Sequence, residues 1–190
     1  MQWKIPYSSA TLSEARLYAI ESSEHTLDYH GWEDGHFKLQ RLTYGKFAQL
    51  WVYEFCRLNG INCQKDRSGP QKPDDKDLVI RGHDVDVKTS INPKLIGQIS
   101  PGMYHKNDGF YCFTLTDKAC SFILPIGFMH CADFIHFSHE VKKGEVIPGT
   151  DVVQRFGNSR FLNQNSGLID FYTFMAEAKN GNLNNYAIPL

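Results

Sequence analysis

Two aspartates and a lysine are the residues of this 190-residue chain whose types and spacing could do chemistry. Asp86 and Lys88 are two positions apart, and Asp77 directly precedes the apolar residues 78–80. Two carboxylates suit Mg²⁺, which takes one or two of them and fills its other positions with water and substrate phosphate oxygens. An ammonium group beside them can stabilise the charge that develops on a phosphate. The trio therefore predicts metal-assisted cleavage of a phosphodiester bond.

A hairpin is predicted to bring these three side chains to one face of a sheet. Side chains alternate along a strand, so Asp86 and Lys88 face away from the two valines that alternate with them. Gly82, between Arg81 and His83, favours a tight turn before this strand. With a loop at residues 82–83, antiparallel pairing sets Asp77 opposite Lys88 and Val79 opposite Asp86. The three charged side chains then share one face.

A helix over residues 44–58 is predicted before the hairpin, because apolar residues recur at helical spacing and Asn59 and Gly60 form a stop signal. At about 100° per residue, Glu54 falls within roughly 40° of the centre of the apolar stripe. A carboxylate at that position requires a partner. A metal ion would satisfy it, and so would a structural ion pair with Lys46 or Arg57.

Glu54, Asp77, Asp86 and Lys88 together resemble the pattern of the PD-(D/E)xK nuclease superfamily, the restriction-endonuclease-like enzymes. That pattern is an acidic residue on a helix, an aspartate that opens a hairpin strand, and then Asp or Glu, any residue, and Lys. The resemblance implies an α/β fold with a central mixed β-sheet flanked by helices. It also implies Mg²⁺, for which Mn²⁺ can substitute, held by Asp77 and Asp86 with Glu54 as an auxiliary acid, while Lys88 is the catalytic lysine. Asp74 is a second match to the first aspartate, and Asp77 is preferred because it adjoins the strand.

The resemblance implies a DNA endonuclease that hydrolyses phosphodiester bonds. The net charge of the chain is -1, whereas affinity for nucleic acid comes mainly from cations that neutralise phosphates. We therefore expect local contacts to DNA from the segment before the hairpin and from the end of the charged strand, namely Lys65, Arg67, Lys72, Lys76 and Ser90. Cleavage of both strands requires two active sites, hence a homodimer or a partner subunit.

Two other classes of function stay open at this point. The first is a non-catalytic module that keeps the nuclease fold and binds nucleic acid or a protein partner. The second is an enzyme that acts on a different phosphoester, such as RNA or a small nucleotide. Exposed aromatic side chains would favour single-strand recognition, whereas side chains that read a groove would favour duplex DNA.

Length and composition predict a single domain over residues 1–190. The resemblance implies that it is a nuclease domain with a catalytic core at about residues 42–125. The chain is 42% hydrophobic, and its five cysteines form no Cys-x-x-Cys pair, which predicts free thiols in a reducing compartment, the cytoplasm. No apolar stretch is long enough to cross a bilayer, so we expect no membrane partner.

Six further elements are predicted along the chain. A capping-box pattern predicts a first helix at residues 11–22 that packs against the helix carrying Glu54. Aromatic-rich runs at residues 109–116 and 120–125 predict two central strands joined as a hairpin. Short helices are predicted near residues 94–99 and within residues 126–137, and a final amphipathic helix is predicted at residues 166–179.

Overall fold

The computed structural model describes residues 2–24, 35–65, 77–99, 109–154, 157–162 and 167–183. Within these residues the chain forms four helices and nine strands. The helices are α1 (Ser8–Ser23), α2 (Gly35–Leu58), α3 (Phe134–Phe137) and α4 (Phe171–Asn180). The strands are β1 (Cys63–Lys65), β2 (Leu78–Ile80), β3 (His83–Ser90), β4 (Gly97–Ile99), β5 (Gly109–Leu115), β6 (Leu124–His130), β7 (His139–Val141), β8 (Ser159–Leu162) and β9 (Ile169–Asp170).

Six of the strands form a central sheet in the order β1-β2-β3-β5-β6-β9. Strand β3 runs parallel to β5, while every other neighbouring pair in this sheet is antiparallel. The sheet is therefore mixed, and helices α2 and α4 pack on it, which confirms the predicted α/β architecture with a mixed central sheet flanked by helices. The chain also forms a second, smaller sheet in the order β4-β8-β7, which is antiparallel and was not predicted.

The two faces of the central sheet carry different cores. On the first, which we call the helix face, apolar residues of β2, β3, β5 and β6 pack with α2 and α4, and α1 packs against α2 as predicted. On the second, which we call the charged face, Tyr111 and Phe113 of β5 pack with Ile96 and Ile99 beside β8 and with Phe134 of α3. The small sheet therefore covers part of the charged face.

The turn of the β2–β3 hairpin differs from the predicted one. Leu78 pairs with Val85 and Ile80 with His83, so the loop is Arg81-Gly82 and not residues 82–83. Both loop residues have positive φ, 53° at Arg81 and 89° at Gly82, which is the requirement of the tight turn that matches strand twist. The predicted pairing is thus wrong by two positions. Because side chains alternate with a period of two, the predicted faces are unchanged.

Strand β6 begins later than predicted. It spans Leu124–His130, whereas residues 120–123 form the connection from β5 and the predicted strand was 120–125. Pro125 lies inside β6, opposite Thr114, where the register shifts at an irregularity between Phe113 and Thr114. Such an irregularity tolerates a residue without a backbone N–H. The helix predicted within residues 126–137 is correspondingly limited to α3.

Four helical predictions differ from the structure in extent or type. Helix α1 begins at Ser8, three residues before the predicted capping box, and α2 begins at Gly35. Residues 97–99 form β4 instead of a helix, since Gly97 lets this strand lie directly against the Phe113 ring. Helix α4 begins at Phe171, and Asp170 caps its N-terminus because the Asp170 side chain accepts a hydrogen bond from the Thr173 N–H.

Two coarser predictions about the chain can also be compared with the structure. All five cysteines are free thiols, and four of them are buried. Among the helices of the described residues, none combines the length and the apolar character needed to cross a membrane.

Candidate active site

Asp77 lies at the point where the chain enters β2, and two side-chain hydrogen bonds hold it there. The Val87 N–H of β3 donates to Asp77 Oδ2 at 2.6 Å. The Gln49 side chain of α2 donates from Nε2 to the main-chain oxygen of Asp77 at 2.7 Å. The Asp77 carboxyl group therefore accepts a backbone N–H of β3 just beyond the β2–β3 ladder, which begins at Leu78.

Asp86 and Lys88 lie on the charged face of β3, as predicted. Lys88 Nζ is 2.8 Å from Asp86 Oδ1, and their side chains are only 13% (Asp86) and 21% (Lys88) exposed. On the neighbouring strand β5 they are matched by Tyr111 and Phe113, both fully buried. An ion pair in such a poorly hydrated place interacts more strongly than one on an open surface.

Asp86 lies close enough to Asp77 to influence the protonation of Asp77. Extension of the β2–β3 register by one pair places Asp77 directly opposite Asp86. Burial raises the pKa of Asp77 from 3.8 to about 7, and Asp86 adds to this through its charge and through a hydrogen bond to the Asp77 carboxyl group. Lys88 and the Val87 N–H act in the opposite direction on the same pKa. Near neutral pH the Asp77 carboxyl group therefore changes between its protonated and its ionised form.

Glu54 lies apart from this cluster. Its carboxylate accepts two hydrogen bonds from Arg57, at 2.8 Å from Nε and 2.6 Å from Nη2. This pairing lowers the pKa of Glu54, chiefly through the hydrogen bond. The structural ion pair with Arg57 that the sequence left open is thus formed, whereas the structure does not bring Glu54 together with Asp77 and Asp86.

The predicted DNA contacts can be located in part. Lys65 Nζ lies 3.0 Å from Glu14 of α1 and above the Tyr53 ring, so it contacts the helices beside the edge strand β1. Ser90 ends β3, where its hydroxyl group accepts a hydrogen bond from the Asn92 N–H at 3.0 Å. The other three predicted contacts, Arg67, Lys72 and Lys76, lie outside the described residues.

Gln49 is the residue of this site that sequence reasoning missed. It is 3% exposed and belongs to a run of α2, residues 47–52, in which every side chain is buried. A buried amide side chain almost always has hydrogen-bond partners, so a glutamine inside an otherwise apolar run is a signal of a specific contact. Within the apolar stripe, the charge of Glu54 is a stronger signal than the neutral amide of Gln49, so the sequence pattern indicated Glu54.

Asp77 and Asp86 are the side chains of this site that could hold a hard divalent cation such as Mg²⁺. Across the described residues, no group of three or more histidine, cysteine, aspartate and glutamate side chains could hold a metal ion. Asp77 and Asp86 provide two adjacent carboxylates with one lysine beside them, which leaves an excess negative charge when both are ionised. Mg²⁺ takes one or two carboxylates and keeps the rest of its octahedron for water and phosphate oxygens. A divalent cation between the two would relieve their repulsion.

Comparisons of the chain with protein-family models, with curated proteins and with solved structures found no match.

Proposed function

We propose that this protein is a Mg²⁺-dependent DNA endonuclease, a hydrolase of phosphodiester bonds built on a restriction-endonuclease-like fold. The observation that carries the proposal is the cluster of Asp77, Asp86 and Lys88 on one face of the β2–β3 hairpin. Its residue types and their order along the chain are those of the nuclease pattern that the sequence resembles. The arrangement supplies an acidic pair for a cation and an ammonium group for an anion within one small volume.

Each member of the cluster has a separate task in this proposal. Asp77 and Asp86 hold the metal, and Mn²⁺ can replace Mg²⁺ because both accept oxygen ligands. When bound, the ion lowers the pKa of a coordinated water and neutralises charge on the phosphate. Lys88 orients the attacking water or binds a phosphate oxygen, which requires its ammonium group to leave Asp86 or to bridge from it. Its partial exposure of 21% gives substrate access to that group.

The Asp86–Lys88 ion pair prepares the lysine for this role. The pair keeps the ammonium group beside the carboxylate that would hold the metal, so the group has only a short distance to move when substrate arrives. A cation placed between the carboxylates would weaken the attraction of Asp86 for Lys88. The ammonium group of Lys88 would then be able to bind a phosphate oxygen.

The proposed substrate is DNA, and the proposed assembly is a homodimer or a complex with a partner subunit. One cluster per chain can cut one strand at a time, so cleavage of both strands at one place needs two copies or a second nuclease subunit. We also propose a cytoplasmic location, because five free thiols suit a reducing compartment.

Plasmid cleavage tests the proposal directly. Purified protein is incubated with supercoiled plasmid and with single-stranded DNA, in Mg²⁺, in Mn²⁺ or in EDTA, alongside Asp86→Ala. Asp84→Ala is the matched control, because this aspartate lies on the same face of β3 but is exposed and close to the turn. We expect metal-dependent cleavage by the wild type and by Asp84→Ala, and none by Asp86→Ala.

Two results would contradict the nuclease proposal. Cleavage that persists in Asp86→Ala or in EDTA would assign the activity to another site or to a contaminant. DNA binding without cleavage by a folded wild type, in either metal, would favour the non-catalytic binding module. The ratio of nicked to linear plasmid then reports whether one or two sites act together.

A further inference from the structure

Gln49 makes a contact that α2 does not need for its own packing. Its neighbours Ala48 and Leu50 are buried in the main core, as are the large apolar residues of the same helix. An apolar side chain at position 49 would pack there without the desolvation penalty of an amide. Gln49 instead directs its Nε2 to the Asp77 oxygen at 2.7 Å, 28 positions along the chain.

The main chain at Asp77 lies beyond the regular hairpin ladder. The paired residues of β2 and β3 begin with Leu78 opposite Val85, so backbone pairing does not by itself fix the preceding residue. Asp77 is held from two sides, by Gln49 at its main-chain oxygen and by the Val87 N–H at its carboxyl group. With both ends fixed, the side chain has little freedom to rotate.

We propose that Gln49 is a positioning residue that holds the Asp77 carboxyl group in the orientation required to bind metal together with Asp86. The inference rests on the proposed function, since it assigns Asp77 to the metal. Loss of the Gln49 bond leaves the part-buried carbonyl of Asp77 without this donor, and that carbonyl then moves toward water. The carboxyl group moves with it, because both belong to one residue at the end of a strand.

Position 49 is suited to this role and position 54 is not. Five residues along an α-helix correspond to a rotation of about 140°, so Gln49 and Glu54 point in different directions. Gln49 points toward the start of β2, whereas Glu54 pairs with Arg57 on its own helix. The helix thus contributes to the site through an amide that orients a ligand.

The experiment uses Gln49→Met, which keeps the length of the side chain and removes the donor. The first measurement is amide hydrogen exchange at Val87 in the metal-free protein, since that N–H donates to the Asp77 carboxyl group. We expect Val87 to exchange at least about tenfold faster in the variant, while the amides of β5 keep their wild-type rates. The second is calorimetric titration with Mn²⁺, in which affinity should fall by about 10- to 100-fold, as for other residues that orient metal ligands.

Two further variants complete the design. Gln40→Met makes the same substitution on the same helix, at a partly exposed glutamine that contacts His36, and should change neither Val87 exchange nor Mn²⁺ affinity. Gln49→Asn keeps the amide but is one methylene too short, so it replaces Gln49→Met if that variant does not fold.

The outcomes separate this inference from the proposed function. If the wild type binds no Mn²⁺, the proposed metal site is wrong, and so is the role of Gln49 in orienting a metal ligand. The exchange rate of the Val87 amide then still shows whether Gln49 holds Asp77 in place. Wild type that binds Mn²⁺, together with a variant of unchanged affinity or unchanged Val87 exchange, overturns the inference and leaves the nuclease proposal standing. Selective exposure of Val87 combined with weaker Mn²⁺ binding supports both.

Discussion

Replacement of Asp77 by asparagine should make the metal-free protein more stable at alkaline pH. The two side chains have nearly the same shape, and the asparagine oxygen can still accept the Val87 N–H bond. What the substitution removes is a carboxyl group that burial and Asp86 keep from ionising easily. Asp77→Asn therefore isolates the electrostatic penalty of the site from its packing.

The sign and size of the effect follow from the raised pKa. Below pH 3.8 Asp77 is protonated in both the folded and the unfolded chain, so it costs the folded state nothing. Between pH 3.8 and about 7 only the unfolded chain ionises readily, and the free energy of unfolding falls as pH rises. At 1.36 kcal/mol per pH unit, that interval gives an upper limit of about 4 kcal/mol, reached above pH 7.

Urea denaturation at a series of pH values in EDTA measures this difference. Wild type and Asp77→Asn should have equal unfolding free energies near pH 3.5, and the variant should exceed wild type by up to about 4 kcal/mol at pH 8. Addition of Mn²⁺ at pH 8 should reverse the order, because only wild type then binds the ion and gains stability from it. A difference that does not change with pH, or that shrinks as pH rises, would refute the assignment of a raised pKa to Asp77.

Four further results are expected from the same site and its surroundings. Lys88→Ala should lower turnover by about 10²- to 10³-fold with little loss of Mn²⁺ affinity, and full activity of this variant in plasmid cleavage would contradict its catalytic role. Mn²⁺ affinity of the wild type should rise about tenfold per pH unit up to about pH 7 and then level off, because Asp77 must lose its proton before it can bind the ion. Calorimetry in buffers of different protonation enthalpy measures the proton that is released on binding, and an affinity that does not change with pH would contradict the prediction. Glu54→Gln should retain metal-dependent cleavage, since the Glu54 carboxylate is hydrogen-bonded to Arg57. Loss of cleavage in this variant would show that Glu54 takes part in the active site. Gly97→Ala should destabilise the protein by about 1–3 kcal/mol in thermal unfolding, because an added Cβ would overlap the buried Phe113 ring, and an unchanged midpoint would contradict that packing.

The face of the hairpin could be predicted from the sequence, but its register could not. Alternation of charged and apolar residues fixes which side chains share a face, and a change of two positions in pairing preserves that result. The turn was misplaced because Arg81 adopts a positive φ of 53°, a conformation that residue type seldom signals outside glycine and asparagine. The true turn moves Asp77 from a place opposite Lys88 to a place opposite Asp86, and it is this change that creates the carboxyl pair.

The contribution of α2 could be predicted only in outline. The apolar stripe correctly indicated a helix at residues 44–58, which lies within α2. Every side chain at residues 47–52 is buried, so a single stripe could not show which side of the helix faces the site. Glu54 is 27% exposed and reaches Arg57 one turn away, a local pair that needs no metal. The contact of Gln49 joins residues 28 positions apart, and nothing in local sequence fixes which buried amide meets which strand.

The cover over the charged face depends on contacts that are even more distant along the chain. Strand β4 pairs with β8, whose residues lie about 60 positions later, and together they pack over Tyr111 and Phe113. The local sequence pattern favoured a helix at residues 94–99. A short apolar run is compatible with both a helix and a strand, and only its contacts with distant residues decide between the two. Tyr111 and Phe113 are the β5 neighbours of Asp86 and Lys88, so the same cover explains why the charged pair is only 13% and 21% exposed. Burial of this kind raises the free energy of unpaired charge at the site, and that is the condition under which a divalent cation and a phosphate would bind there most strongly.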